Sequence, residues 1–95
     1  MDLKDEDIHP HLRARMLQRG VTKEEIEETI ARGTEAEDAK EGTLGKVLAF
    51  PYNAVWENTY YSQKEVTVYY RQTEAGILVL TVKARYGEAF GGSSR

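Results

Sequence analysis

His11 and Arg15 stand one helical turn apart, so on a helix they share a face. A histidine that exchanges its proton near neutral pH beside a permanent cation suits anion binding or proton transfer. A second chemistry-bearing set lies far along the chain. Thr67, Tyr69 and Arg71 alternate on one run, and Thr81, Lys83 and Arg85 on another. In strands, alternation would carry three cations, a phenol and two hydroxyls to one side of a sheet. Cations gathered on one face could form a shallow groove that holds a phosphate backbone. Tyr69 also offers a ring on which a base could stack. The plain alternatives are a solvated helix face and a wet sheet face whose Lys and Arg discourage edge-to-edge pairing.

The elements that must position these residues begin with two short helices. Pro10, with its fixed φ and missing N–H, suits a first helical position, and Gly20 marks a helix end. The spacing predicts a helix over 10–19, with Leu12, Met16 and Leu17 on one side, His11, Arg15 and Gln18 on another, and Arg19 at the border. Thr22-Lys-Glu-Glu25 reads as a capping box, and Val21 and Ile26 form the matching hydrophobic staple. A second helix is therefore expected over 23–32, ending at Gly33 in the left-handed conformation.

After Gly33 the period changes. Residues 34–40 read as a short edge strand or a loop, and Glu41-Gly-Thr-Leu-Gly45 as a turn. Lys46 to Phe50 reads as a strand stopped or bulged at Pro51, and Tyr52 to Ser62 carries no clear period. A hairpin follows, with strands over 65–71 and 77–86. Val66, Val68 and Tyr70 form its expected core face on one strand; Leu78, Leu80, Val82, Ala84 and Tyr86 form it on the other.

At 95 residues the chain is one domain with one core. It divides into an acidic tail over 1–8, a helical hairpin over 9–33, an antiparallel sheet over 34–90 and a flexible tail over 91–95. There is no cysteine, which excludes disulfides, thiolate catalysis and cysteine-ligated metals. His9 and His11 would diverge on a helix, so no metal and no cofactor is expected. No run approaches a membrane span or a signal peptide, and the expectation is a cytoplasmic protein without membrane attachment. The net charge of −3 is unevenly spread: residues 1–42 balance to −5 and residues 43–95 to +2. An acidic total therefore does not argue against a nucleic-acid partner; the charge on one sheet face decides.

The pattern His11-x-x-x-Arg15-Met16-x-x-Arg19-Gly20-Val21-Thr22-x-Glu24-Glu25-Ile26 resembles the opening motif of a DUF, a family of small domains of unassigned function grouped with the RelE, ParE and BrnT toxins. The strand ending in Thr81-Val-Lys-Ala-Arg85 resembles that family's closing strands, and the likeness spans roughly 9–86. It implies an α+β, RelE-like domain, with two N-terminal helices packed on one face of a curved antiparallel sheet. It also implies a toxin-like, RNA-acting protein, an endoribonuclease working without metal through His11, Arg15, Tyr69, Arg71, Lys83 and Arg85, with RNA and an antitoxin-like protein as partners. ParE-like members bind a protein instead of cutting RNA, so a non-catalytic interaction module is the alternative, and a degenerate structural relative a third.

Overall fold

The structure, a computed structural model, describes residues 8–88. Two helices, α1 (Pro10–Arg19) and α2 (Lys23–Arg32), precede four strands: β1 (Thr34–Glu35), β2 (Leu44–Trp56), β3 (Thr59–Thr73) and β4 (Gly76–Gly87). The strands form one open antiparallel sheet in the order β1-β2-β3-β4. The fold class is α+β. No helix among the described residues is long and apolar enough to cross a membrane.

Both helices begin and end on local chemistry. The ring of His9 caps α1: its Nδ1 accepts from the His11 N–H at 3.2 Å, and the two imidazoles stack at 5.3 Å. The two histidines therefore stay together, because His9 lies outside the helix instead of on it. Gly20 closes α1 at φ 70°. The capping box of α2 is complete, with Glu25 N–H donating to Thr22 Oγ1 at 3.1 Å and Thr22 N–H to Glu25 Oε1 at 3.0 Å. Gly33 departs from expectation. Its φ of −74° and ψ of 169° are extended, and a Cβ there would stand 2.5 Å from Thr29 O and 2.7 Å from Val47 O. Glycine is needed because backbones approach closely, not because the chain turns left-handed.

Leu12, Val21 and Ile26 share one core with Val66, Val68, Tyr70, Val79 and Val82. α1 lies against β4, and α2 against β2 and β3. Ile8, assigned to the acidic tail, is buried in this core; the rest of that tail and the segment 91–95 lie outside the described residues. Leu17 is 78% exposed instead of buried. At 100° per residue it points roughly 140° from Leu12. The inward stripe is Leu12, Met16 and Arg19, whose guanidinium donates to Val82 O at 3.0 Å.

Two irregularities reset the strand pattern. Tyr69 pairs with Thr81 but Tyr70 with Val79, so Leu80 is an extra residue. Below this bulge the phase of β4 inverts: Val79 is buried and Ile77 packs on the core, while Leu78 is exposed. The expected core face of β4 holds only from Val82 onward. The second shift lies between Pro51 and Ala54, where the ladder is interrupted and then resumes. Pro51 therefore bulges β2 without ending it, which places proline where it need not donate. The segment from Tyr52 to Ser62 is a hairpin, with positive φ at both turn residues, Glu57 (50°) and Asn58 (72°). That is the primed geometry that matches strand twist.

Candidate functional site

Val66 and Val68 alternate with Thr67 and Tyr69 along β3, so the second pair faces away from the helical core. That face is not fully open. The segment after β1 folds over it, and Thr67 is buried beneath. Two clefts result. One, of about 850 Å³, runs from Glu35 and Asp38 past Val47 and Thr67 to Glu65 and Arg85. The other, of about 500 Å³, lies between α1 and the segment, and brings together Arg15, Arg19, Asp38, Lys40, Tyr69 and Lys83.

Asp38 joins the two. The Tyr69 hydroxyl donates to both of its carboxylate oxygens, at 2.8 and 2.9 Å, and Lys83 Nζ lies 3.3 Å from Oδ2. Lys83 Nζ also sits 5.2 Å from the centre of the Tyr69 ring. Beneath the ring, a Cβ on Gly45 would come within 3.2 Å of Tyr69 Cδ1. Occupied in this way, Tyr69 presents its phenol oxygen more readily than a bare stacking surface.

The electrostatics follow from these contacts. Hydrogen bonding from the Tyr69 hydroxyl first, and from Lys83 second, holds the Asp38 carboxyl below the ordinary carboxylate range. The Lys83 ammonium is raised above its ordinary range, chiefly by hydrogen bonding with the Tyr69 phenol; desolvation opposes this, and Asp38 then adds to the rise. Asp38 thus contributes to the folded state above the ordinary carboxylate pKa, and that contribution is lost as pH falls through the lowered value. Lys83 contributes below the ordinary lysine pKa and loses its contribution as pH rises through the raised one. Both groups are charged across neutral pH. In Tyr69→Phe, the Asp38 titration followed by carboxyl ¹³C NMR should move up toward the ordinary range; an unmoved titration would show that the phenol is not the cause.

Of the residues singled out from the sequence, Arg15, Tyr69 and Lys83 line the smaller cleft together. Arg85 lines the larger one and pairs with Glu65 at 2.9 Å. Arg71 lies outside both, exposed on β3 opposite Leu78 beyond the bulge. His11 is exposed at the start of α1, also outside both clefts. Arg15 reaches Gln18 Oε1 at 3.3 Å. No family model matches the chain, and neither does any curated protein or solved structure. The site rests on its own geometry.

Sequence reasoning passed over Asp38, Lys40 and Arg19. Asp38 is 31 positions from Tyr69 and 45 from Lys83. Only the run of acids in a segment without apolar period marked it. Arg19 gave a clearer sign as a cation at the border of an apolar stripe, the place from which a side chain reaches a sheet edge.

Proposed function

We propose that the chain is an RNA-acting protein of RelE-like type, which holds a phosphodiester in the smaller cleft and cleaves it with its own side chains. The observation that carries this reading is the gathering of Arg15, Arg19, Lys40 and Lys83 around the Tyr69 phenol in one cleft. Three segments far apart in sequence supply these cations, α1, the stretch between β1 and β2, and β4, and a phosphate among them would meet charge from several sides.

In the chemistry proposed, the ribose 2′-hydroxyl gives its proton to a water molecule as its oxygen attacks the adjacent phosphorus, and the 5′-oxygen that is expelled takes the proton of the Tyr69 hydroxyl, which solvent then restores. The products are a 2′,3′-cyclic phosphate and a free 5′-hydroxyl. Lys83 stays protonated at neutral pH, so its role is to stabilise charge on the phosphorane rather than to accept a proton. Arg15 would face the non-bridging oxygens beside it. Tyr69 supplies a hydroxyl that donates while Asp38 or an oxyanion accepts.

The test is binding and cleavage of a short single-stranded RNA, with DNA of the same sequence as a substrate that lacks the 2′-hydroxyl. RNA should be cut to cyclic-phosphate ends and DNA only bound. Lys83→Met should lower the cleavage rate by about 100-fold. Removing Arg15 and Lys83 together should flatten the dependence of log affinity on log salt by about 1.4. If the RNA is neither bound at low salt nor cut, the reading falls.

One observation favours the interaction-module alternative. β1 pairs only with Val47 and Lys46, so among the described residues no strand covers the outer edge of β2 from Leu48 to Trp56. Such an edge accepts an added strand from an antitoxin-like partner.

A further inference from the structure

Asp38 stands where the phosphate of the proposed function would stand. Its two carboxylate oxygens take the Tyr69 hydroxyl and one approaches the Lys83 ammonium, while Arg15, Arg19 and Lys40 line the same cleft. An oxyanion of phosphate asks for these same donors. We infer that residues Ala36 to Thr43 form an anionic strap whose Asp38 carboxylate fills the oxyanion position, so that a phosphate group enters the cleft by displacing it.

The strap is built to be held at its ends and released between them. At one end Ala36 N–H donates to Gly45 O at 2.9 Å. At the other, the strap runs straight into β2 at Leu44, just after an internal turn that Thr43 closes on Lys40 O through its N–H, at 2.9 Å, and its hydroxyl, at 2.6 Å. Between these anchors the Asp38 carboxylate ties the strap to the sheet. Gly42 in the turn has φ 84°, and a Cβ there would meet nothing within 4 Å, so no side-chain packing pins the turn at this point. Gly45 lets the strap and the Tyr69 ring lie close together, since a Cβ there would stand 2.8 Å from that of Ala36.

The tie is also weak enough to exchange. The side chains of Lys83 and Asp38 are 53% and 64% exposed, and exposed ion pairs of this kind contribute little. Phosphate carries more charge than one carboxylate and can engage Arg15 and Lys40 as well. The strap therefore acts as a competitor for the site, raising the phosphate concentration needed to fill it. An incoming ligand that also bonds Arg15 overcomes this competition, whereas a carboxylate-sized anion does not.

This inference takes its ligand class from the proposed function, but inorganic phosphate tests it without RNA. Phosphate is titrated into the wild type, Asp38→Asn and Asp38→Ala, following backbone amides and the Asp38 carboxyl by NMR, with melting temperature as the check on folding. Both variants should bind phosphate about threefold more tightly than the wild type, with shifts at Tyr69, Thr81 and Lys83. Adding Lys83→Met to Asp38→Asn should abolish the gain. In the wild type, saturating phosphate should move the Asp38 carboxyl resonance and the amides of 37–42. Unchanged or weaker affinity in both variants, or shifts confined to other surfaces, overturns the inference. A gain for phosphate with no RNA bound by any form leaves the strap standing and removes the RNA reading. RNA binding that is strong in the wild type and unaltered in both variants does the reverse.

Discussion

Replacing Lys64 with alanine should destabilise the domain by about 3 kcal/mol and lower its melting temperature by roughly 15 °C. Lys64 is 3% exposed, yet it carries an ammonium group. Its Nζ donates to Gly20 O at the end of α1 and to Glu25 Oε1 at 2.7 Å, between the rings of Tyr52 and Tyr86 at 5.6 and 5.8 Å. The substitution strips a carbonyl and a partly buried carboxylate of their partner at once, and that loss, rather than the missing methylenes, dominates the cost. The expected value lies at the low end for buried pairs because Glu25 retains 21% exposure. A double-mutant cycle with Glu25→Ala isolates the pair: the two costs should fall short of additive by about 1–2 kcal/mol. Urea denaturation reads both quantities. A shift below 3 °C in the single variant would mean that the ammonium is solvated and the contact incidental.

Gly33→Ala should cost about 3 kcal/mol, although the backbone there adopts an ordinary extended conformation. The added methyl would meet carbonyl oxygens of α2 and β2, at 2.5 Å from Thr29 O and 2.7 Å from Val47 O, and neither is the mobile end of a side chain. Relief requires separating the helix from the strand it has just joined. Gly42→Ala makes the contrasting control: its φ is 84°, yet nothing lies within 4 Å, so the cost is the conformational one alone, about 1 kcal/mol. If the two substitutions prove equally mild under urea, the helix and strand are not packed as closely as the backbone places them.

The helices were legible because their boundaries are written in local chemistry. Pro10, Gly20 and the Thr22–Glu25 box act within a few residues of themselves. The core positions of β3 were legible for the same reason, since Val66, Val68 and Tyr70 obey a period of two without interruption. What escaped depends on single inserted residues or on distance. Leu80 looks like one more apolar residue in an alternating run, and only the pairing shows that it shifts the phase. Pro51 reads as a stop, yet the bulge beside it lets the strand resume, and the turn at Glu57-Asn58 lacks the glycine that usually announces such hairpins. His9 as a cap resembles none of the usual Ser, Thr, Asp or Asn signals.

The candidate site divides along the same line. Tyr69 and Lys83 could be placed on a common face from alternation alone, and Arg15 came from the helical wheel. That these three meet depends on how α1 lies along β4, which Arg19 fixes through Val82 O. Arg85 was expected among cations, but Glu65 across the strand pair neutralises it. Asp38 belongs to the site only through folding of a segment whose residues follow no period.

The turn between the helices is closed by β4. Tyr86 donates to Arg19 O at 2.7 Å, across 67 positions, and stacks on Trp56 at 4.7 Å above Gly20. During synthesis the helical hairpin leaves the ribosome ahead of the four strands, and the Arg19 carbonyl has no Tyr86 hydroxyl to accept from until β4 has emerged. Its sealing therefore comes late, because long loops must close before that strand reaches the turn. A nascent chain stopped before Tyr86 retains the start signals of both helices but lacks the residue that locks them in place.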